Sequence, residues 1–146
     1  MCRYPLLLMF VLLGLSCVVW GVAPVSFGVG IERIFLGGGL LAAGAILIVA
    51  AAGLFRRRDT TLDPTKAPNQ LVVDGLYRWS RNPMYLGMLW ILMGAALALD
   101  SVLSLLFPAI FFVWMNGNII PREERRIEGV FGEAYLRYKQ HTRRWI

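Results

Sequence analysis

Asn82-Pro83-Met84-Tyr85-Leu86-Gly87-Met88-Leu89-Trp90-Ile91-Leu92-Met93-Gly94-Ala95-Ala96-Leu97-Ala98-Leu99-Asp100-Ser101-Val102 is the stretch on which the fold turns. From Leu86 to Leu99 it carries no charge. That run is short for a membrane span, but a helix that starts at Asn82-Pro83 reaches about 26 Å at ~1.5 Å per residue. The start is well specified: asparagine suits the cap, proline fits the first helical position, and a residue before proline avoids helical torsions. Gly87, Gly94 and Ala98 give this helix a strip of small residues. Asp100-Ser101 reads as a tight turn. The apolar run Val102–Ile120 follows, and Pro108 is expected to bend it. The stretch predicts a helical hairpin that enters a bilayer and returns.

Two further apolar runs precede the hairpin. Leu6 to Ala23 has Arg3 before it and Trp20 near its far end, where interfacial aromatics are favoured. It reads as a retained span rather than a cleaved leader, because the run is long and Pro24 crowds the only cleavage site. Ile34 to Phe55 is rich in small residues, with small-xxx-small spacings at Gly38/Ala42 and Gly39/Ala43 that suit close helix approach in lipid. So many glycines argue against a helix in water. In a bilayer, unsatisfied backbone is the larger cost and helix wins. The expectation is an all-α, polytopic membrane bundle in one domain over residues 1–146, with spans near 6–23, 34–55, 83–99 and 102–120.

Composition agrees. The chain is 58% hydrophobic and 16% charged, against about 45–50% apolar in soluble domains, and its mean hydropathy is +0.60. A net charge of +6 would suggest nucleic acid in a soluble protein. Here membrane lipids explain it better, since basic residues gather in cytoplasmic loops and meet anionic headgroups. With four spans, every lysine and arginine except Arg33 falls on one side. The positive-inside rule makes that side cytoplasmic, with both termini on it. Cys2 and Cys17 have no metal or disulfide spacing, no metal is expected, and Cys17 reads as a small buried hydrophobe.

The outer connections, 24–33 and Asp100-Ser101, are too short to hold a site. Chemistry is expected in two cytoplasmic segments, 60–85 and 119–140, which meet at the mouth of the hairpin. In the first, Leu71 to Val73 looks extended and Asp74-Gly75 is a turn signal. The helix start at Asn82-Pro83 presents free N–H groups, and Arg78 and Arg81 add positive charge. Read plainly, Tyr77, Trp79 and the arginines also make an interfacial anchor. The second segment opens with Pro121-Arg122-Glu123-Glu124-Arg125-Arg126. Ile127, Val130, Phe131, Ala134, Tyr135 and Tyr138 follow at helical spacing, broken at Gly132. It predicts an amphipathic C-terminal helix on the membrane or over the loop. Glu123 and Glu124 also fit a solvated first turn that complements the helix dipole.

An extended stretch, Gly75-Leu76-Tyr77, Arg81-Asn82-Pro83-Met84-Tyr85, a helical hairpin, paired glutamates and Phe131-Gly132-Glu133-Ala134-Tyr135-Leu136-Arg137-Tyr138 follow one another in a specific order. Over roughly residues 60–140 this succession resembles the isoprenylcysteine carboxyl methyltransferase family and its bacterial relatives, which also resemble the phospholipid N-methyltransferases. The first two helices are generic and add nothing to it.

The resemblance implies a membrane enzyme that transfers a methyl group from S-adenosylmethionine to a lipophilic or lipid-anchored acceptor, without a glycine-rich Rossmann loop. For a bacterial-type chain it implies the inner membrane. By position it implies cofactor contacts from Asn69, Gln70, Leu71, Val72, Tyr77, Asn82, Pro83, Met84, Tyr85 and Glu123, with Arg81 and Arg122 as candidates for positioning the substrate. Tyrosine faces suit a sulfonium through cation–π attraction. A helix N-terminus and an arginine suit the cofactor's carboxylate, and Glu123 suits its hydroxyls or ammonium.

The chain departs from the eukaryotic members in two places. The position four residues before Glu123 is Ile119 rather than an arginine, and the ending reads His141-Thr142-Arg143-Arg144-Trp145. A carboxylate, thiol or amine therefore stays open as the acceptor. Two other readings stay open on the residues alone. One is an NADPH-dependent reductase of the sterol reductase type. The other is a small non-enzymatic transporter or assembly protein.

Overall fold

The computed structural model describes residues 5–28, 30–57 and 70–146. Among them there are helices and turns and no strand. Helix α1 is Pro5–Val22 and α2 is Glu32–Arg57. A 3-10 turn, Gly75–Arg78, leads into α3, Pro83–Ala98. A second 3-10 turn, Leu103–Leu105, opens α4, Leu106–Trp114. A π turn, Met115–Ile119, joins α4 to α5, Ile120–Phe131, and α6 is Glu133–His141. Three helical runs are long and apolar enough to cross a membrane: Pro5–Val22, Glu32–Arg57 and Leu103–Phe131. Helix α3 is apolar but shorter.

The last run is longer than the expected span of 102–120. Its 29 residues extend about 43 Å at ~1.5 Å per residue, beyond a hydrocarbon core of about 30 Å. The apolar part ends near Ile120, and α5 carries Arg122, Glu123, Glu124, Arg125, Arg126 and Glu128 past it. Pro108 follows the 3-10 turn Leu103–Leu105 by three residues. It lies in the first turn of α4, where a missing N–H is one of the unpaired groups anyway. A second irregularity is the π turn just before Pro121. A proline there has no N–H for the carbonyl four residues back and its ring crowds that carbonyl. The register slips instead, and the Ile120 amide donates to the Met115 carbonyl.

Helices α2 and α3 pack antiparallel along a glycine seam, on residues other than the pairs the spacing rule selected. Gly38 and Gly39 have nothing within 4 Å of where a side chain would start. The contacts come from Gly37 and Gly44. A Cβ on Gly37 would lie 2.7 Å from the Gly94 carbonyl, and one on Gly44 would lie 2.5 Å from the Gly87 carbonyl. Both pairs are two turns apart, the repeat expected of helices crossing at a shallow angle. The strip expected on α3 is thus in place, and Ala98 meets Gly37.

The core joins Met9 and Leu12 of α1 to Met88 and Leu92 of α3 and to Phe111, Met115 and Ile120 of the last run. Cys17 is exposed rather than buried. On α1 its neighbour Ser16 turns inward, fully buried, and its carbonyl accepts from Ser104. At the hairpin end opposite the basic segments, Asp100 has φ +52°, a conformation that aspartate tolerates better than most residues. Its carboxylate accepts from Ser26 Oγ at 2.6 Å and the Phe27 amide at 3.0 Å. It also pairs with Arg33 at 3.5 Å. The two short loops close that end on one another.

Candidate functional site

The other end is built from the loop before α3, the start of α3, α5, α6 and residues 142–146. Gln70 is exposed, Leu71 is half-buried and Val72 is buried. The segment, expected to be extended, forms no regular secondary structure. Val72 packs with Ala51 and Tyr77 in a second small core, with Leu54, Phe55, Leu76 and Met84 around it. Gly75 makes the turn at φ +57°, against Leu54. Tyr77 is covered by Phe55, ring centroids 5.3 Å apart and nearly edge-on. The Tyr138 hydroxyl donates to the Tyr77 carbonyl, which ties α6 to the loop.

Asn82 stands at the start of α3 but does not cap it through its side chain. Its Nδ2 instead donates to the Arg144 carbonyl at 3.0 Å, and its own amide donates to Ser80 Oγ at 3.1 Å. The tail segment competes successfully for the asparagine. Ser80 and Arg143 form an isolated bridge, with the Arg81 amide donating to the Arg143 carbonyl at 2.9 Å. Residues 142–146 therefore run alongside residues 80–82.

One turn into α3, the Tyr85 hydroxyl reaches both oxygens of Glu123, at 2.8 and 2.9 Å. Burial raises the Glu123 carboxyl above its ordinary range, and the Tyr85 hydrogen bond and the charge of Arg126 do not offset this. Next to it, Glu124 is only 7% exposed and has quite different partners. Arg81 donates to it at 2.9 Å, and Arg144 grips it with two N–H groups at 3.2 and 2.6 Å. Burial pushes this carboxyl up as well, but the Arg144 hydrogen bond and the charges of Arg81 and Arg144 outweigh it, and the net shift is downward. Burial also pushes up the nearby phenols, Tyr135 to about 12.

Arg81, a candidate for positioning substrate, is thus engaged inside the protein. Besides Glu124, it donates to the carbonyls of Lys139 at 3.1 Å and Thr142 at 2.8 Å. Arg122, the other candidate, is exposed. Pro83 is fully buried at the helix start. Asn69 lies outside the described residues. Of the expected set, Tyr77, Asn82, Met84, Tyr85 and Glu123 come together around the start of α3.

Sequence reasoning passed over Glu124 as a site residue, and Arg144, Asn116, Tyr138 and Trp145 with it. Arg144 Nη1 and Trp145 Nε1 both donate to Asn116 Oδ1, at 3.1 and 3.3 Å, and Trp145 lies against Phe112. One signal was available. Neighbours on a helix point about 100° apart, so two adjacent glutamates cannot share one partner. Among the described residues no group of His, Cys, Asp or Glu could hold a metal ion.

A 63-residue uncharacterised protein of Haemophilus influenzae is 44% identical over its whole length, which is 43% of this chain. The Protein-S-isoprenylcysteine O-methyltransferase of Saccharomyces cerevisiae is 40% identical over 70 residues, 47% of this chain but only 29% of the yeast protein. No solved structure matches. The sequence profile of phospholipid methyltransferases matches residues 32–134, so α2, generic by composition, lies inside the match. Covering more than half of its length, that match places the chain in the phospholipid methyltransferase family.

Proposed function

We propose that this chain transfers a methyl group from S-adenosylmethionine to a lipophilic acceptor, at the basic end of the bundle and on the cytoplasmic face of the membrane. The observation that carries the reading is the Tyr85–Glu123 pair. It supplies an acidic group at the mouth of a membrane hairpin, held in place by a phenol. The family and the yeast relative's name support methyl transfer. The one-sided distribution of lysine and arginine supports the orientation.

The residues present fit the cofactor. One hydroxyl hydrogen satisfies at most one of roughly four lone-pair sites on the Glu123 carboxylate. The burial-raised carboxyl is under-compensated and suited to an ammonium or a ribose hydroxyl. Arg81 and Arg144 face a single carboxylate between them, so their cluster carries net positive charge toward an anionic group. Leu76 offers apolar surface beside Tyr77 for a flat ring. S-adenosylmethionine, when bound, supplies an electrophilic methyl group. The chain's own residues hold and orient, and positioning with exclusion of water provides most of the rate. The acceptor's apolar part stays in the bilayer, which makes a lipid or lipid-anchored molecule the substrate class.

Calorimetry on the detergent-purified protein tests the site. Wild type is expected to bind S-adenosylmethionine or S-adenosylhomocysteine. Tyr85→Phe and Glu123→Gln are expected to bind about tenfold more weakly, the scale of a lost hydrogen bond to a charged group. Absence of binding by wild type, or unchanged binding by both variants, refutes the proposal.

A further inference from the structure

We propose that Glu124 and Arg144 are positioning residues, and that residues 142–146 form a latch that fixes Glu123 against Tyr85. The inference deepens the methyl-transfer reading and rests on it for its binding readout. The start of α3 and the first turn of α5 are linked twice. One rung is Tyr85 to Glu123. The other is Arg81 to Glu124 at 2.9 Å. The rungs are adjacent, because Glu123 and Glu124 are neighbours and Tyr85 follows Arg81 by four residues across the start of α3. The second rung is the better satisfied, with three guanidinium N–H groups on Glu124, so it fixes the rotation of α5 that the first rung needs.

Arg144 holds the second rung from behind. Its fork takes both oxygens of Glu124, a bidentate geometry that fixes angle as well as distance. The same guanidinium donates to Asn116 Oδ1. Asn116 lies in the π turn, and π turns alter the direction in which side chains leave a helix. Trp145 shares that oxygen and rests on Phe112, while the Arg144 carbonyl accepts from Asn82. One short segment thus fastens α3, α4 and α5 around the Tyr85–Glu123 pair, with Arg81 and Glu124 as its side-chain links beside that pair.

A double-mutant cycle separates positioning from general support. Affinity for S-adenosylhomocysteine is measured by calorimetry on the full-length protein in detergent, for wild type, Arg144→Gln, Glu123→Gln and the double variant. The melting temperature of each is recorded alongside. Arg144→Gln is expected to weaken binding about tenfold, within the range of couplings between contacting groups. It is expected to have little further effect in the Glu123→Gln background. Glu124→Gln, which keeps shape and loses charge, is expected to behave like Arg144→Gln. Unchanged binding in Arg144→Gln and Glu124→Gln overturns the proposal, and so does an equal loss in both backgrounds. If wild type does not bind, the methyl-transfer reading fails by itself. Hydrogen exchange at the amides of residues 120–124 then decides the latch: faster exchange in Arg144→Gln supports it, and unchanged exchange overturns it.

Discussion

Replacing Gly44 by alanine adds one carbon to the α2–α3 seam, and the outcome follows from where that carbon goes. Its ideal position is 2.5 Å from the Gly87 carbonyl oxygen, 2.8 Å from Ile91 Cγ1 and 3.1 Å from the Ile91 amide nitrogen. Two of these three atoms are backbone and cannot rotate away. Ordinary contact begins near 3.5 Å, so the helices must part locally by about 1 Å. Overpacking of that kind costs about 1–3 kcal/mol. Exchanging glycine for alanine also favours the helix itself, by up to about 1 kcal/mol. Gly38→Ala isolates that second effect, since nothing lies within 4 Å of it. The two variants should therefore differ in stability by about 1–3 kcal/mol, with Gly44→Ala the weaker. Titration with a denaturing detergent, followed by circular dichroism, measures the difference. Gly87→Ala meets the Gly44 carbonyl at 2.7 Å. The Gly44→Ala/Gly87→Ala double variant should cost less than the sum of its parts, because one parting relieves both clashes. Equal stabilities for Gly44→Ala and Gly38→Ala would refute the seam.

Other substitutions probe the two ends. Because burial raises the Glu123 carboxyl, the folded protein holds that proton more tightly than the unfolded chain. Wild type therefore loses stability as pH rises from the ordinary glutamate value through the raised one. Glu123→Gln lacks that loss. It should be more stable than wild type above this window while binding the cofactor more weakly; thermal unfolding above and below the window checks it, and an advantage that does not grow with pH contradicts it. Tyr138→Phe removes the bond to the Tyr77 carbonyl and should cost about 1 kcal/mol, seen as a lower unfolding midpoint. Asp100→Ala removes the acceptor for Ser26 and Phe27, so the Phe27 amide should exchange faster with solvent while the amides of α3 stay unchanged.

The hairpin was legible in the sequence because its signals are local. Asn82-Pro83 sets where α3 begins, and Asp100-Ser101 sets where it turns. The glycine seam was legible only in part. The spacing rule finds small residues four apart, but which face meets a neighbour depends on the neighbour, and Gly87 and Gly94 select Gly37 and Gly44. Asn82 shows the same limit. Its residue type predicts a cap, yet a carbonyl from 62 residues away takes its side chain. The pairing of Tyr85 with Glu123 agrees with the order of motifs in the resemblance. Glu124, Arg144 and Asn116 escaped because their roles rest on one another across four segments, and no single stretch of sequence carries such a network.

The contrast between the two glutamates favours a ligand at the basic end over simple anchoring. An anchor needs charge at the surface and nothing more. Here two neighbouring carboxylates are withdrawn from water into different settings. Glu124 has three guanidinium N–H groups on it, and with the charges of Arg81 and Arg144 they outweigh burial and lower its carboxyl pKa. Glu123 has a phenol and the charge of Arg126, and burial still prevails. Withdrawing a carboxylate from water without full compensation is costly. Arg81 from the loop before α3 and Arg144 from the C-terminal tail compensate its neighbour Glu124 instead. That division is wasteful for a fold that serves only its own stability, and it is the pattern expected where a polar group completes its hydrogen bonding with something the protein binds.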